Sequence, residues 1–150
     1  MPTCLSPAEI ADRCAGAGAA KAARPVFPLA ALGVLAGALI ALGGAATSTA
    51  AFGIPDPWTA KTICALLFPF GLGMVVIMGA ELFTGNCLIP AAVLSRRCGW
   101  GGMLRNWGIV YLANFAGALL VAAGCAFFGQ LDCGGGQLAV YTMKTAAAKC

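Results

Sequence analysis

The chain has 150 residues, of which 61% are hydrophobic and 9% charged, whereas soluble domains carry about 25% charged residues. Its nine basic and five acidic residues are too few to cover the surface of a soluble domain, and they are bunched between uncharged runs at residues 26–55, 62–80, 82–95 and 106–131. Since about 20 apolar residues suffice to cross a bilayer core of about 30 Å, these runs exclude an ordinary soluble domain and predict an all-α protein that spans a membrane.

Residues 1–25 read as an N-terminal helix on the membrane surface. Ser6-Pro7-Ala8-Glu9 supplies an N-cap, a proline at the first helical position and an acid in the first turn. The mixed charges Glu9, Asp12, Arg13, Lys21 and Arg24 fit such a helix and not a secretory signal, which starts basic and turns apolar at once.

Span one is expected over residues 26–48. Gly33, Gly37, Ala41 and Gly44 fall along one ridge, and Gly33 and Gly37 form a small-xxx-small pair that admits another helix closely.

The second apolar stretch is too long for one helix. Lys61 and Arg96 bracket 34 residues that hold a single charge, Glu81. Straight, they would extend about 50 Å, and an average tilt of about 20° does not absorb the excess. A break is therefore required. Gly85, Asn86 and Pro90 mark it, because Gly and Asn favour turns and Pro opens a new helix more readily than it continues an old one. The expected arrangement is a half-helix over residues 62–82, a non-helical stretch over Phe83, Thr84 and Gly85, and a second half-helix over residues 86–95 with Asn86 as its N-cap. Irregular backbone at membrane depth is tolerated only against protein or a watery cavity, and helix ends there meet ions. The positive end of the second half-helix suits an anion. An intramembrane carboxylate is costly and usually functional; Glu81 is expected to hold the loop by accepting hydrogen bonds from N–H groups freed at the break. Beside it, Phe83 is a candidate constriction and Thr84 a hydroxyl donor.

Span three is expected over residues 106–130, with Ala113, Gly117 and Gly124 forming a small-residue stripe and Trp107 and Tyr111 an interfacial anchor. Residues 132–150 are left as an outer loop and the start of a fourth span. Orientation follows from basic residues: Arg13, Lys21 and Arg24 precede span one, and Arg96, Arg97 and Arg105 separate spans two and three. Only Lys61 and Lys144 fall on the other side. Basic residues stay in the cytoplasm, so the N-terminus is expected there.

Eight cysteines, Cys4, Cys14, Cys64, Cys87, Cys98, Cys125, Cys133 and Cys150, contain no CxxC pair, and there is no histidine. Neither a zinc site nor a disulfide framework is indicated; Cys64, Cys87 and Cys125 read as small apolar residues. No phosphate loop, nucleophile elbow or nucleic-acid patch occurs, so no enzyme, cofactor or nucleic-acid partner is expected.

The segment Gly79-Ala80-Glu81-Leu82-Phe83-Thr84-Gly85-Asn86 resembles the motif at the broken second helix of the formate/nitrite transporter family. Ala36-Gly37, Ile40-Ala41, Asn106-Trp107, Tyr111, Asn114-Phe115 and Lys149 agree with the same family, as does the stretch from Leu5-Ser6-Pro7 to Lys21. The resemblance implies an aquaporin-like protomer of six spans in two inverted halves, assembled as a homopentamer with one pore in each protomer. It implies passage of small monovalent anions such as formate, nitrite and hydrosulfide, accompanied by protons. Leu82, Phe83 and Thr84 would then form the gating loop, supported by Glu81, Gly85 and Asn86. Lys149, at the start of span four, would add positive potential to the outer vestibule. The family continues through spans four to six and carries a pore histidine in the fifth, so this chain is expected to be the N-terminal half of a longer protein, the first inverted repeat. Two other readings are weaker: a membrane scaffold whose glycine ridges only bind helices, which Glu81 argues against, and a membrane thiol enzyme, which rests on cysteine number alone.

Overall fold

The computed structural model describes residues 4–149; Met1–Thr3 of the expected N-terminal segment and Cys150 of the expected last one lie outside the described residues. The described residues form α-helices joined by short turns, with no strand among them.

Helix α1, Pro7–Ala23, begins where its local chemistry dictates. The Ser6 hydroxyl oxygen accepts from the Glu9 N–H at 3.4 Å, and the Glu9 carboxylate accepts from the Ser6 N–H at 2.8 Å, a complete capping box. The Ser6 N–H, and then its hydroxyl, hold the Glu9 carboxyl below its ordinary pKa. The stabilisation from that bond is present above the ordinary carboxylate range and is lost as pH falls through the lowered value.

Helix α2, Val26–Ala51, is followed by α3, Pro57–Leu67, which Asp56 caps by accepting from the Thr59 N–H at 2.7 Å. Helix α4, Pro69–Ile77, follows α3 after the single residue Phe68, because Pro69 has no N–H to return to the preceding turn. Together α3 and α4 make one apolar rod of 21 residues. Then come a single turn α5, Phe83–Asn86, a short α6, Pro90–Leu94, and the long α7, Trp100–Phe127. A 3-10 turn, Gln130–Asp132, leads into α8, Gln137–Ala147. Three stretches, Val26–Ala51, Pro57–Ile77 and Trp100–Phe127, are long and apolar enough to cross a bilayer. The protein is an integral membrane protein.

Helices α2 and α7 run parallel and touch most closely at their glycines. A Cβ on Gly37 would stand 2.0 Å from the Asn114 carbonyl oxygen, and one on Gly117 would stand 2.0 Å from that of Val34. Gly33 faces Ala113 in the same seam, while Gly43 and Gly71 bring α2 and α4 together. The ridge read from the sequence is thus used inside the fold over its first half. Gly44 and Gly124 have no atom within 4 Å of such a Cβ. Beside Gly44 lies a cavity of about 220 Å³, lined also by Ala41, Ala122 and Cys125 among others.

The interruption lies earlier than expected. The rod stops at Ile77 and not at residue 82, because Gly79 takes a left-handed φ of 62°. Its N–H bonds the Val76 carbonyl at 3.2 Å, and the Ala80 N–H bonds that of Val75 at 3.0 Å. That pair of bonds is a Schellman C-cap, which favours glycine at its left-handed position. Residues 80–82 are non-helical, whereas Phe83, Thr84 and Gly85, expected to form the gap, are one turn of helix. Asn86 ends that turn and caps no helix with its side chain. Pro90 does open a new helix, as expected.

Candidate functional site

Residues 80–83 place backbone polar groups between apolar helices, where an unpaired group is costly. Each neighbour supplies a partner. The Glu81 N–H donates to the Leu32 carbonyl on α2 at 3.1 Å. Asn114, on α7, bonds the segment at both ends of its amide. Its Nδ2 donates to the Gly33 carbonyl at 2.8 Å and to the Glu81 carbonyl at 2.9 Å, and its Oδ1 accepts from the Phe83 N–H at 2.8 Å. One side chain thus ties α2, the gap and α5 together.

The Glu81 side chain does something different from what the sequence suggested. It is 2% exposed, and it accepts no backbone N–H. Lys21 Nζ lies 2.8 Å from Oε2 and Arg24 Nη1 lies 3.0 Å from Oε1, so each carboxylate oxygen meets a cation from the end of α1. Lys21 also donates to Asn86 Oδ1 at 2.9 Å; Asn86 Nδ2 donates to Asn106 Oδ1 at 2.8 Å; and Asn106 Nδ2 returns to the Lys21 carbonyl at 3.0 Å. The ring closes on itself. Asn86 and Asn106 are fully buried, and no buried side-chain nitrogen or oxygen among the described residues lacks a partner.

An open cavity of about 690 Å³ adjoins this ring, lined by Lys21, Arg24, Glu81, Leu82, Thr84 and Gly85 together with apolar residues of α1 and α4. Two cations and one anion border it, a surplus of one positive charge. Phe83 turns onto α7, its ring edge-on to Trp107 at 6.1 Å and to Tyr111 at 5.5 Å between centroids. Trp107 Nε1 donates to the Asn86 carbonyl at 2.9 Å. Trp107 is thereby part of the wall that holds α5.

The sequence model of the formate/nitrite transporter family matches residues 8–150. The chain belongs to the formate/nitrite transporter family. It is 38% identical over 148 residues to the formate channel FocA of Haemophilus influenzae, covering 97% of this chain and 52% of the relative. It is 33% identical over 147 residues to the formate channel FocA of Escherichia coli K12, with the same two coverages. A probable formate transporter of Methanothermobacter thermautotrophicus is 37% identical over 122 residues, 78% of this chain and 44% of the relative. The chain spans about half the length of these relatives.

Of the formate/nitrite transporter residues singled out in the sequence, Glu81, Leu82, Thr84 and Gly85 come together around the cavity, with Asn86 behind them in the hydrogen-bonded ring and Phe83 packed on α7. Lys149 does not join them. It is exposed just beyond α8, and its described bond is from its N–H to the Ala146 carbonyl at 3.0 Å. In the sequence Lys21 and Arg24 mark a surface helix and the topology, and nothing local to them signals a partner about 60 residues away. Asn106 and Asn114 are marked in the sequence by the family resemblance, which carries no role for them, and Trp107 also by its place at the start of span three. The seven described cysteines are free.

Asn114→Leu tests the clamp. It is close to asparagine in shape, and it leaves the Phe83 N–H and the Glu81 carbonyl without their partner, at about 1–3 kcal/mol for each buried group left unsatisfied, while the Gly33 carbonyl keeps its bond within α2. A fall of several degrees in the thermal midpoint in detergent is expected, with a smaller fall for Asn114→Gln. Equal midpoints for wild type and Asn114→Leu would remove the clamp.

Proposed function

We propose that the full-length protein passes small monovalent anions, of the formate, nitrite and hydrosulfide type and accompanied by protons, through a pore gated where the second span is interrupted. The observation that carries this reading is the cavity at the interruption. Lys21 and Arg24 border it beside a single buried carboxylate, so its net charge attracts an anion. Family membership supports the transport class, and the relatives named as formate channels support the anion.

In this reading the rod Pro57–Ile77 and the short helices α5 and α6 form one broken span, in the first of two inverted halves of an aquaporin-like protomer assembled as a homopentamer. Leu82 and Thr84 form the wall the anion meets, and Phe83 is the constriction, steadied by Trp107 and Tyr111. Glu81, Gly85 and Asn86 support the loop, and Lys149 adds positive potential to the outer vestibule. The N-terminus is cytoplasmic in a prokaryotic inner membrane. The docking of α1 against α6 and α7 supports one shared side for the basic residues before span one and between spans two and three. Against the scaffold reading, Gly33, Gly37 and Gly117 are already consumed within the protomer.

Stopped-flow uptake of formate and nitrite into proteoliposomes holding the full-length protein tests the function. Flux well above that of empty vesicles is expected; flux equal to theirs sinks it. For the gate, Phe83→Ala and Thr84→Val are expected to change the formate-to-nitrite rate ratio at least about threefold, the effect of a bond or contact worth under 1 kcal/mol. An unchanged ratio in both variants would remove these residues from the gate.

A further inference from the structure

Helix α1 caps its own N-terminus through Ser6 and Glu9, yet its C-terminal end has no side chain of its own to meet the carbonyls left free there. Three carbonyls at that end are met from α7, one of them, that of Lys21, in addition to the Arg24 N–H. Arg105 Nη2 lies 3.1 Å from the Ala22 carbonyl oxygen and 2.6 Å from that of Arg24, and the neighbouring Asn106 takes the Lys21 carbonyl. A guanidinium is well matched to this end of a helix, where free carbonyls and the macrodipole both favour a cation. Arg97 makes a further polar tether, to the Asp12 carboxylate and carbonyl, but both side chains are exposed, and such pairs contribute little.

We propose that Arg105 is a positioning residue: seated on the C-terminal carbonyls of α1, it docks that helix so that Lys21 and Arg24, and not an unpaired Glu81, set the charge of the cavity. The inference deepens the anion-pore reading and rests on it for the meaning of that charge. Without Arg105, the backbone of α1 keeps the Asn106 bond, the exposed Asp12 bridge and its small-residue packing on α6, where a Cβ on Gly18 would lie 3.1 Å from the Ala92 Cβ. The bonds of Lys21 and Arg24 to Glu81 and Asn86 run through long, partly exposed side chains that do not fix the helix. Retreat of α1 would take both cations from Glu81 together, and the cavity border would change from a surplus of one positive charge to one negative. Sequence alone assigns Arg105 to topology; its bonds to carbonyls 81 and 83 residues earlier give it this second task.

Cys14 is a native reporter, half-buried on α1 and lining the small cavity between α1 and residues 85–89. The experiment measures its rate of modification by a charged maleimide in the detergent-solubilised full-length protein, by peptide mass mapping, in wild type, Arg105→Ala, Arg105→Lys and Arg97→Ala. Loss of charge-assisted hydrogen bonds in Arg105→Ala is expected to raise the Cys14 rate about tenfold or more, with Arg105→Lys between it and wild type and Arg97→Ala close to wild type. Cys64 and Cys125, on α3 and α7 away from α1, should keep their rates. An unchanged Cys14 rate in Arg105→Ala overturns the proposal. So does a parallel rise at Cys64 and Cys125, which would make Arg105 a support of the whole fold, or an equal rise in Arg97→Ala. Formate flux, measured separately, distinguishes the two readings: wild-type vesicles without flux would defeat the pore while leaving the labelling result intact.

Discussion

Replacing Gly117 with alanine is expected to cost on the order of 3 kcal/mol or more, the upper range for overpacking a tight core. The added Cβ would stand 2.0 Å from the Val34 carbonyl oxygen and 2.9 Å from the Ala38 nitrogen. Both are backbone atoms of α2, so no rotamer change relieves the clash, and the two helices must move apart by more than an ångström. Gly37→Ala meets the same obstacle from the other side, against the Asn114 carbonyl carbon and Cα at 2.7 Å each. The damage is not confined to packing. Leu32 on α2 and Asn114 on α7 hold residues 81–83 from opposite sides, and Asn114 is itself bonded to the Gly33 carbonyl on α2, so separating the helices also strips those hydrogen bonds. Thermal unfolding in detergent and the yield of monodisperse protein are the measurements. Gly53→Ala, which adds its Cβ in open space, is expected to match wild type. A Gly117→Ala protein that melts with wild type would show that the seam is looser than these distances require.

That seam was legible in the sequence because small residues at helical spacing report close approach whatever lies across from them. Where it ended was not. Gly44 and Gly124 continue the same periodicity, but nothing packs against a Cβ at either, and periodicity carries no measure of interhelical distance. The interruption in the second stretch divides in the same way. Its existence follows from chain length against bilayer thickness. Its position was decided by which glycine takes a left-handed φ, and both Gly79 and Gly85 were available. Gly79 has Val75 and Val76 correctly placed to receive the two bonds of a Schellman cap, with Ala80 packing back onto Val75 in the core. The signal was present, a glycine two residues before a lone carboxylate, but the proline and asparagine downstream competed with it.

The candidate site was readable as a list of residues and not as a circuit. Glu81 stood out because a charge in an apolar run demands explanation. What it pairs with could not be inferred from its neighbourhood, since the partners come from a surface helix that sequence treats as separate. Folding α1 back over α6 and α7 converts two topology markers, Lys21 and Arg24, into the counter-ions of that carboxylate.

The pairing carries the second large expectation. Lys21→Met with Arg24→Met should destabilise the protein by about 3–5 kcal/mol, the cost of leaving a buried charge uncompensated. Either substitution alone should cost much less than half of that, because the remaining cation still neutralises Glu81 and the lost one was about a third exposed, at 32% for Lys21 and 35% for Arg24. The double loss should therefore exceed the sum of the single losses, as coupled groups do. Adding Glu81→Gln to the double variant removes the stranded charge and is expected to restore most of the midpoint. What remains should be the loss of the Lys21 bond to Asn86 Oδ1, which leaves that oxygen unpaired in the buried ring. Glu81→Gln alone should be mild for stability, since Lys21 and Arg24 can turn to water, and it raises the positive surplus at the cavity from one to two. In proteoliposomes at low ionic strength formate uptake should then be at least as fast as in wild type, with the difference shrinking as salt screens the field. Additive single losses, or a triple variant no more stable than the double, would mean that Glu81 is held by its surroundings and not by these two cations. Uptake abolished by Glu81→Gln in a protein that still folds would instead give the carboxylate a direct part in permeation, beyond its pairing with α1.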